Sequence, residues 1–287
     1  MLIEKMVDFC HGEYQKHSCT NCTGCVLNDN SCNGDCSTCL DDIHFHYNKK
    51  RKDYNCEHLL DYYVCRYSYK YCSELLYALN LIDFTEYPYF HILSLGCGGA
   101  PDLMAFDYIG YSQKIQYVGI DNNPYWLKVH QEIQNQFPKG NVTFWNDVDV
   151  LSYFKEKRIP ECNILIIEYL ISFFYKEIRS FGVRKWFKEL ANNIVSLKPK
   201  DSPLLIIIND VDSINTGRDT FGIFKDEICS LGFNVQERRM RFKEVEYFKG
   251  STQYPEKKNK FSVPEDIVSQ YKVALNCESV QLILEVK

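Results

Sequence analysis

Two groups of residues have the types and spacing to do chemistry. The first is a glycine-rich turn within HILSLGCGGAPDLMAF, His91–Phe106, followed by an acid, Asp121, that closes the run YVGID. Gly96 and Gly98 flank Cys97, and Gly99 follows. Without side chains, the backbone there can pass close to a ligand and adopt otherwise strained angles. A helix opening near Ala100–Pro101 would aim its free N–H groups at the turn, with proline suited to its first position. Asp121 stands at the end of a second strand, where its carboxylate can accept hydrogen bonds from two ribose hydroxyls. The pairing predicts a cradle for a nucleoside-bearing ligand. It is not a dinucleotide fingerprint, because that pattern needs glycine at position 101, where Pro101 stands.

The second group is a run of thiols. HSCTNCTGCVLNDNSCNGDCSTC holds Cys19-x2-Cys22-x2-Cys25 and Cys32-x3-Cys36-x2-Cys39. Two thiolates separated by two residues can grip one tetrahedral zinc ion through a tight knuckle. Cys10 lies upstream, and Cys56 and His58 lie downstream after KKRKDYN, so there are ligands enough for two ions. The spacing does not say which cysteines share an ion. An iron–sulfur cluster on the same thiolates is the alternative. Cys65 and Cys72, seven residues apart on one helix face, read as small core residues.

The rest of the chain must position these groups. Ten of the 14 cysteines fall in the first 72 residues, and residues 1–55 show little aliphatic periodicity. Such a segment builds little core unaided, so 1–56 reads as a small metal-stapled module. A linking segment, 57–89, follows. Its helix, EHLLDYYVCRYSYKYCSELLYALNL, places Leu60, Val64, Tyr67, Tyr71, Leu75 and Ala78 on one face. From 90 to 287, strands alternate with helices. NILIIE and LLIII are almost wholly apolar, as central parallel strands covered on both faces should be. Five βα units in succession imply an α/β, doubly wound, mostly parallel sheet. Residues 233–248 and 279–286 add two more strands, making seven, joined by a polar loop containing KGSTQYPEKKNK.

Composition narrows the function classes. The formal charge of −5 argues against a chain that is basic throughout, leaving KKRK at 49–52 and RRMR at 238–241 as local basic spots. No apolar run approaches the length of a membrane-spanning helix. The start, MLIEKMVDFCHGEYQ, lacks a basic segment followed by an apolar stretch, so a cytoplasmic protein is expected. In a reducing compartment, clustered cysteines read as metal ligands before disulfides.

The turn and its acid resemble the first motif of class I S-adenosylmethionine-dependent methyltransferases. The resemblance covers roughly residues 90–287, including the run of βα units and two terminal strands. It implies a Rossmann-like seven-stranded sheet with the last strand inserted antiparallel. It also implies site residues. Gly96, Cys97 and Gly98 would pass under the methionine part of the cofactor. Asp121, with Asn122 beside it, would hold the ribose. Asp147, after the third strand in VTFWND, would contact the adenine amino group, with Trp145 or Val148 flanking the ring. Glu168 and Tyr169, at the end of the fourth strand, would face the methyl donor and orient or deprotonate the acceptor. Ser94 and Ala100 depart from the family pattern, which often has an acid and a third glycine there. The base-methylating NPPY-type motif is replaced by EYLISFF. The expected activity is methyl transfer to a macromolecule, RNA ahead of protein, gripped in part by the metal module. The alternative is a catalytically inactive relative that binds or scaffolds a partner.

Overall fold

The computed structural model describes residues 1–19, 34–45, 53–111, 114–152, 160–196, 198–243 and 248–287. Three helices come first: α1 (Leu2–Gln15), α2 (Cys36–Phe45) and α3 (Glu57–Leu79). Strands and helices then alternate as β1 (Phe90–Leu95), α4 (Pro101–Tyr108), β2 (Ile115–Ile120), α5 (Leu127–Asn135), β3 (Val142–Trp145), β4 (Ile164–Glu168), α6 (Ile171–Ser196), β5 (Leu204–Val211) and α7 (Phe221–Ser230). The chain ends with β6 (Val235–Arg241), β7 (Thr252–Gln253), α8 (Glu265–Tyr271) and β8 (Ser279–Val286).

The sheet runs β3-β2-β1-β4-β5-β8-β6-β7. Its first five strands are parallel, and β8 enters antiparallel between β5 and β6. The α/β class and the inserted last strand match expectation. The strand count does not: there are eight strands rather than seven. Thr252 and Gln253, inside the stretch read as a polar loop, pair with Met240 and Arg241 and add a two-residue edge strand. So short an edge, with both residues exposed, carries no apolar alternation to reveal it.

Side-chain alternation along each strand sorts the core into two layers. Phe90, Ile92, Tyr117, Ile164, Ile166, Leu205 and Ile207 face α1 to α5 and α8. Leu93, Leu95, Ile120, Leu165, Ile167, Ile206 and Ile208 face α6 and α7. This double burial is why NILIIE and LLIII are apolar at consecutive positions. The N-terminal helices do not hold a core of their own among the described residues. Leu2, Ile3, Met6, Val7 and Cys10 of α1 enter the same cluster as α3 and the sheet. The backbone N–H of Leu2 also donates to Asp107 Oδ2 on α4 at 2.8 Å.

Helix α3 is buried on nearly every side; only Glu57, Tyr63 and Arg66 escape. The six-residue apolar stripe understates this, because the helix carries polar side chains into the core as well. Chief among them is Glu74, which has no exposed surface. Its Oε2 accepts from Tyr169 Oη–H at 2.7 Å and from Asn209 Nδ2 at 3.2 Å. Its Oε1 accepts the backbone N–H groups of Glu278 at 2.8 Å and Ser279 at 3.2 Å. Gln281 Nε2 donates to the Glu74 carbonyl at 2.7 Å. One residue thus fastens α3 to the ends of β4, β5 and β8.

Truncating it would strand several buried donors, each costing ~1–3 kcal/mol. Glu74→Ala should therefore lower stability by at least ~3 kcal/mol in urea titrations, and Glu74→Gln by less, because an amide keeps one acceptor oxygen. Equal midpoints for Glu74→Ala and the parent chain would contradict the assignment.

Candidate functional site

The glycine turn leaves β1 and enters α4 through three left-handed residues: Gly96 (φ 68°), Gly98 (φ 49°) and Ala100 (φ 55°). A Cβ on Gly96 would lie 2.8 Å from Leu170 Cδ1, which would have to shift, but it is the left-handed angle that calls for glycine. Ala100 accepts the left-handed conformation without that relief, immediately before Pro101 opens α4. The backbone N–H groups of Gly96 and Cys97 donate to the Ile120 carbonyl, at 2.8 and 3.1 Å. Cys97 itself points inward. Its Sγ packs where a side chain on Gly119 would sit and lies 3.9 Å from His130 Nε2, so the thiol is not part of the cleft wall.

Asp121 lies at the end of β2, directly beside the turn. Its Oδ2 accepts from Gly98 N at 2.9 Å and its Oδ1 from Asn123 N at 2.9 Å. Each carboxylate oxygen has two lone pairs, so each retains one for a ligand hydroxyl. Burial pushes its carboxyl up to about 6, opposed by those two backbone donors. Asn122 is exposed on the cleft wall beside it. Behind the turn, burial holds His130 down to about 4, and its Nε2 lies 2.7 Å from the Gly98 carbonyl. On the other side of the ring, Nδ1 lies 2.6 Å from Asn146 Oδ1.

Glu168 ends β4 across the cleft from the turn. Its Oε1 accepts from Asn209 Nδ2 at 3.0 Å, whereas its Oε2 is buried with no hydrogen-bond partner. Burial, reinforced by Asp102, Glu74 and Asp210, raises its carboxyl well above the usual range. Tyr169 follows in a left-handed conformation (φ 53°), uncommon for a bulky residue. Its hydroxyl is committed to Glu74, and burial raises its pKa, so it is poorly suited to act as a base.

These groups share one cavity of about 420 Å³. Gly96, Gly98, Asp121, Asn122, Glu168 and Tyr169 all line it. Asp147 does not: it is exposed, in a left-handed turn (φ 61°), and Asp149 with Val150 occupies the wall after β3 instead. Trp145 and Val148 likewise lie outside the wall. Asp102, the nearby acid under the turn, is 1% exposed and accepts from Tyr117 Oη–H at 3.1 Å, away from the cavity. Asp210 caps α6 through Ser172 N at 3.0 Å, and Asp212 pairs with buried Arg218 at 2.8 Å, so both are structural. Sequence reasoning missed the aromatic and N-terminal part of the wall: Tyr54, Asn55, Tyr63, Trp126 and Phe173. The density of tyrosine in 54–77 was the available signal.

Among the described cysteines none forms a disulfide. Cys19, Cys36 and His58 bring their donor atoms within 4.8 Å of one another. Cys39 and Cys56 lie close enough to Cys36 to raise its pKa. Cys10 is separate, buried against Asp61 and Cys65. Cys22, Cys25 and Cys32 lie outside the described residues, as does KKRK at 49–52.

No protein-family model matches the chain, and no curated protein matches it. Solved structures similar to it include a precorrin-6y C5,15-methyltransferase from Geobacter metallireducens, at 13% identity and TM-score 0.40, covering 75% of this chain and 86% of that one. A SAM-dependent methyltransferase from Archaeoglobus fulgidus is 16% identical with TM-score 0.41, covering 75% and 94%. The YcgJ protein from Bacillus subtilis is 14% identical with TM-score 0.43, covering 74% and 98%. At such scores the functional reading rests on the site itself.

Asp121 gives the site a pH signature. Its folded-state pKa is above the unfolded value, so the native state holds an extra proton between about pH 4 and pH 6. The stability from that proton is full below pH 4 and lost as pH rises through 6. Urea midpoints of the parent and Asp121→Asn should diverge over this window, the parent losing about 3 kcal/mol more by pH 7. Parallel pH profiles would show that Asp121 is not desolvated.

Proposed function

We propose that the chain is a cytoplasmic S-adenosylmethionine-dependent methyltransferase with an N-terminal zinc-binding module. One observation carries the reading: a single cavity joins the Gly96–Gly98 backbone, an Asp121 carboxylate with a lone pair spare on each oxygen, and an unpartnered Glu168 oxygen. That set suits an adenosine held without phosphates and a reacting group held opposite it. When bound, S-adenosylmethionine supplies an electrophilic methyl group on a sulfonium. Asp121 would accept the ribose hydroxyls, and Asp149, rather than Asp147, stands where the base would reach the β3 wall. The rings of Tyr63, Trp126 and Phe173 would exclude water and favour a positive charge on the ligand. Glu168 would take the proton that the acceptor nucleophile gives up. It is the more suitable base of the pair because the Tyr169 hydroxyl is already committed to Glu74.

The acceptor we propose is a macromolecule, RNA ahead of protein. Support comes from the basic KKRK run, which immediately precedes wall residues Asp53, Tyr54 and Asn55. The second basic spot is less suitable, because Arg238 pairs with Glu285 at 2.6 Å and Arg239 with Glu237 on β6. A binding protein without catalysis is the second reading. It is favoured by one detail, that Ser94 and Ala100 stand where the catalytic family often has an acid and a third glycine.

Calorimetry with S-adenosylhomocysteine should show one site. Asp121→Ala should weaken it at least tenfold, ~1.4 kcal/mol, and Glu168→Gln should leave it within a few-fold. Labelled methyl transfer to cellular RNA should be lost in Glu168→Gln. Binding with no transfer to RNA or protein would favour the second reading, and no binding by folded protein at millimolar ligand would rule out both.

A further inference from the structure

The thiol cluster and the cleft wall share two helices: the cluster uses the starts of α2 and α3, and the wall is tied to the end of α2 and the start of α3. Cys36 is the first residue of α2, and His58 is the second residue of α3. Cys19 Sγ and Cys36 Sγ stand 3.5 Å apart. That is far beyond a disulfide, whose sulfurs are ~2.05 Å apart. It is close to the ~3.8 Å between two thiolates that each lie ~2.3 Å from one tetrahedral zinc. His58 is 5% exposed, and its Nδ1 is buried with no hydrogen-bond partner. Its ring is stacked on Tyr14 at 4.1 Å and 3°, so its plane is already set. One nitrogen of this fixed, buried imidazole lies within 4.8 Å of both sulfurs, which makes the three residues a donor set for an ion.

The wall residue Tyr54 is fastened to both helices. Its hydroxyl lies 2.9 Å from His44 Nε2, on α2. Its carbonyl accepts from Cys56 N at 2.9 Å, at the N-cap of α3, and from Asn123 Nδ2 at 3.2 Å. Asn123 in turn donates its backbone N–H to Asp121. A short chain of bonds therefore runs from the end of α2 (His44) and the start of α3 (Cys56), through Tyr54, to the acid that would hold the ribose.

We propose that Cys19, Cys36 and His58 ligate a zinc-type divalent ion, with the fourth ligand drawn from the neighbouring thiols, and that this ion sets the Tyr54–Asn55 wall and thereby the affinity of the cleft. The ion is a positioning group: it lies outside the cavity and takes no part in methyl transfer. The coupling half rests on the methyltransferase reading, because it is measured with that ligand. The metal half stands without it.

Two measurements separate the halves. Elemental analysis of the purified full chain should find zinc, and Cys36→Ser and His58→Ala should each lose one equivalent relative to the parent. Because a variant can simply fail to fold, the parent chain is also stripped and reloaded with cobalt(II) alone. It should show tetrahedral d–d bands with sulfur-to-cobalt charge transfer, and the charge transfer should weaken in Cys19→Ser. Full zinc content in both variants, or octahedral cobalt spectra, would overturn the site. For the coupling, S-adenosylhomocysteine affinity should fall about tenfold on chelation and return on adding zinc. Unchanged affinity in folded, zinc-free protein would overturn the coupling while leaving the metal site standing. Absence of S-adenosylhomocysteine binding by the zinc-loaded parent would sink the coupling together with the methyltransferase reading.

Discussion

The site depends on a carboxylate that never meets solvent. Glu74 sits on α3 and is satisfied by donors from β4, β5 and the approach to β8. Removing a carboxylate from water is costly, and only a full set of hydrogen bonds offsets that cost. Asn209 shows how the set reaches the cleft. Its amide donates to both Glu74 Oε2 and Glu168 Oε1, while its carbonyl oxygen accepts from Gln281. With both amide protons committed, the second Glu168 oxygen is left buried without a hydrogen-bond partner, on a residue that lines the cavity. The reactive group of the proposed mechanism is thus aimed by a residue that touches no ligand.

The opposite wall is organised by backbone rather than by side chains. Left-handed angles at Gly96 and Gly98 turn the chain so that Gly98 N reaches Asp121. The same acid organises the next loop through Asn123, whose side chain receives Tyr125 N and reaches Tyr54. Turn, acid and aromatic wall therefore form one hydrogen-bonded unit, with the N-terminal helices attached to it.

Much of this architecture was readable from residue order. Consecutive apolar positions in NILIIE and LLIII report burial on both faces, and the glycine turn with its acid reports a close backbone approach at a strand end. Those are local signals. What escaped the sequence depends on partners far away in it: Glu74 meets Tyr169 across 95 positions and Asn209 across 135. The only hint was polar residues, Asn209 and Gln281, inside otherwise apolar strands. That Asp149 lines the cavity while Asp147, in a left-handed turn, does not is likewise a matter of backbone conformation that residue order does not report. The six-residue apolar face of α3 does not reveal the burial on its other sides. The thiol spacings raise metal-binding chemistry as an expectation, but that Cys19, Cys36 and His58 come together depends on how α2 and α3 begin.

The most direct measurement is a crystal structure of the chain with S-adenosylhomocysteine. The account predicts ribose hydroxyls on Asp121, the amino-acid part over Gly96 and Gly98, and the sulfur facing the free Glu168 oxygen. A nucleoside bound elsewhere, or an empty cleft in crystals grown at saturating ligand, would contradict it.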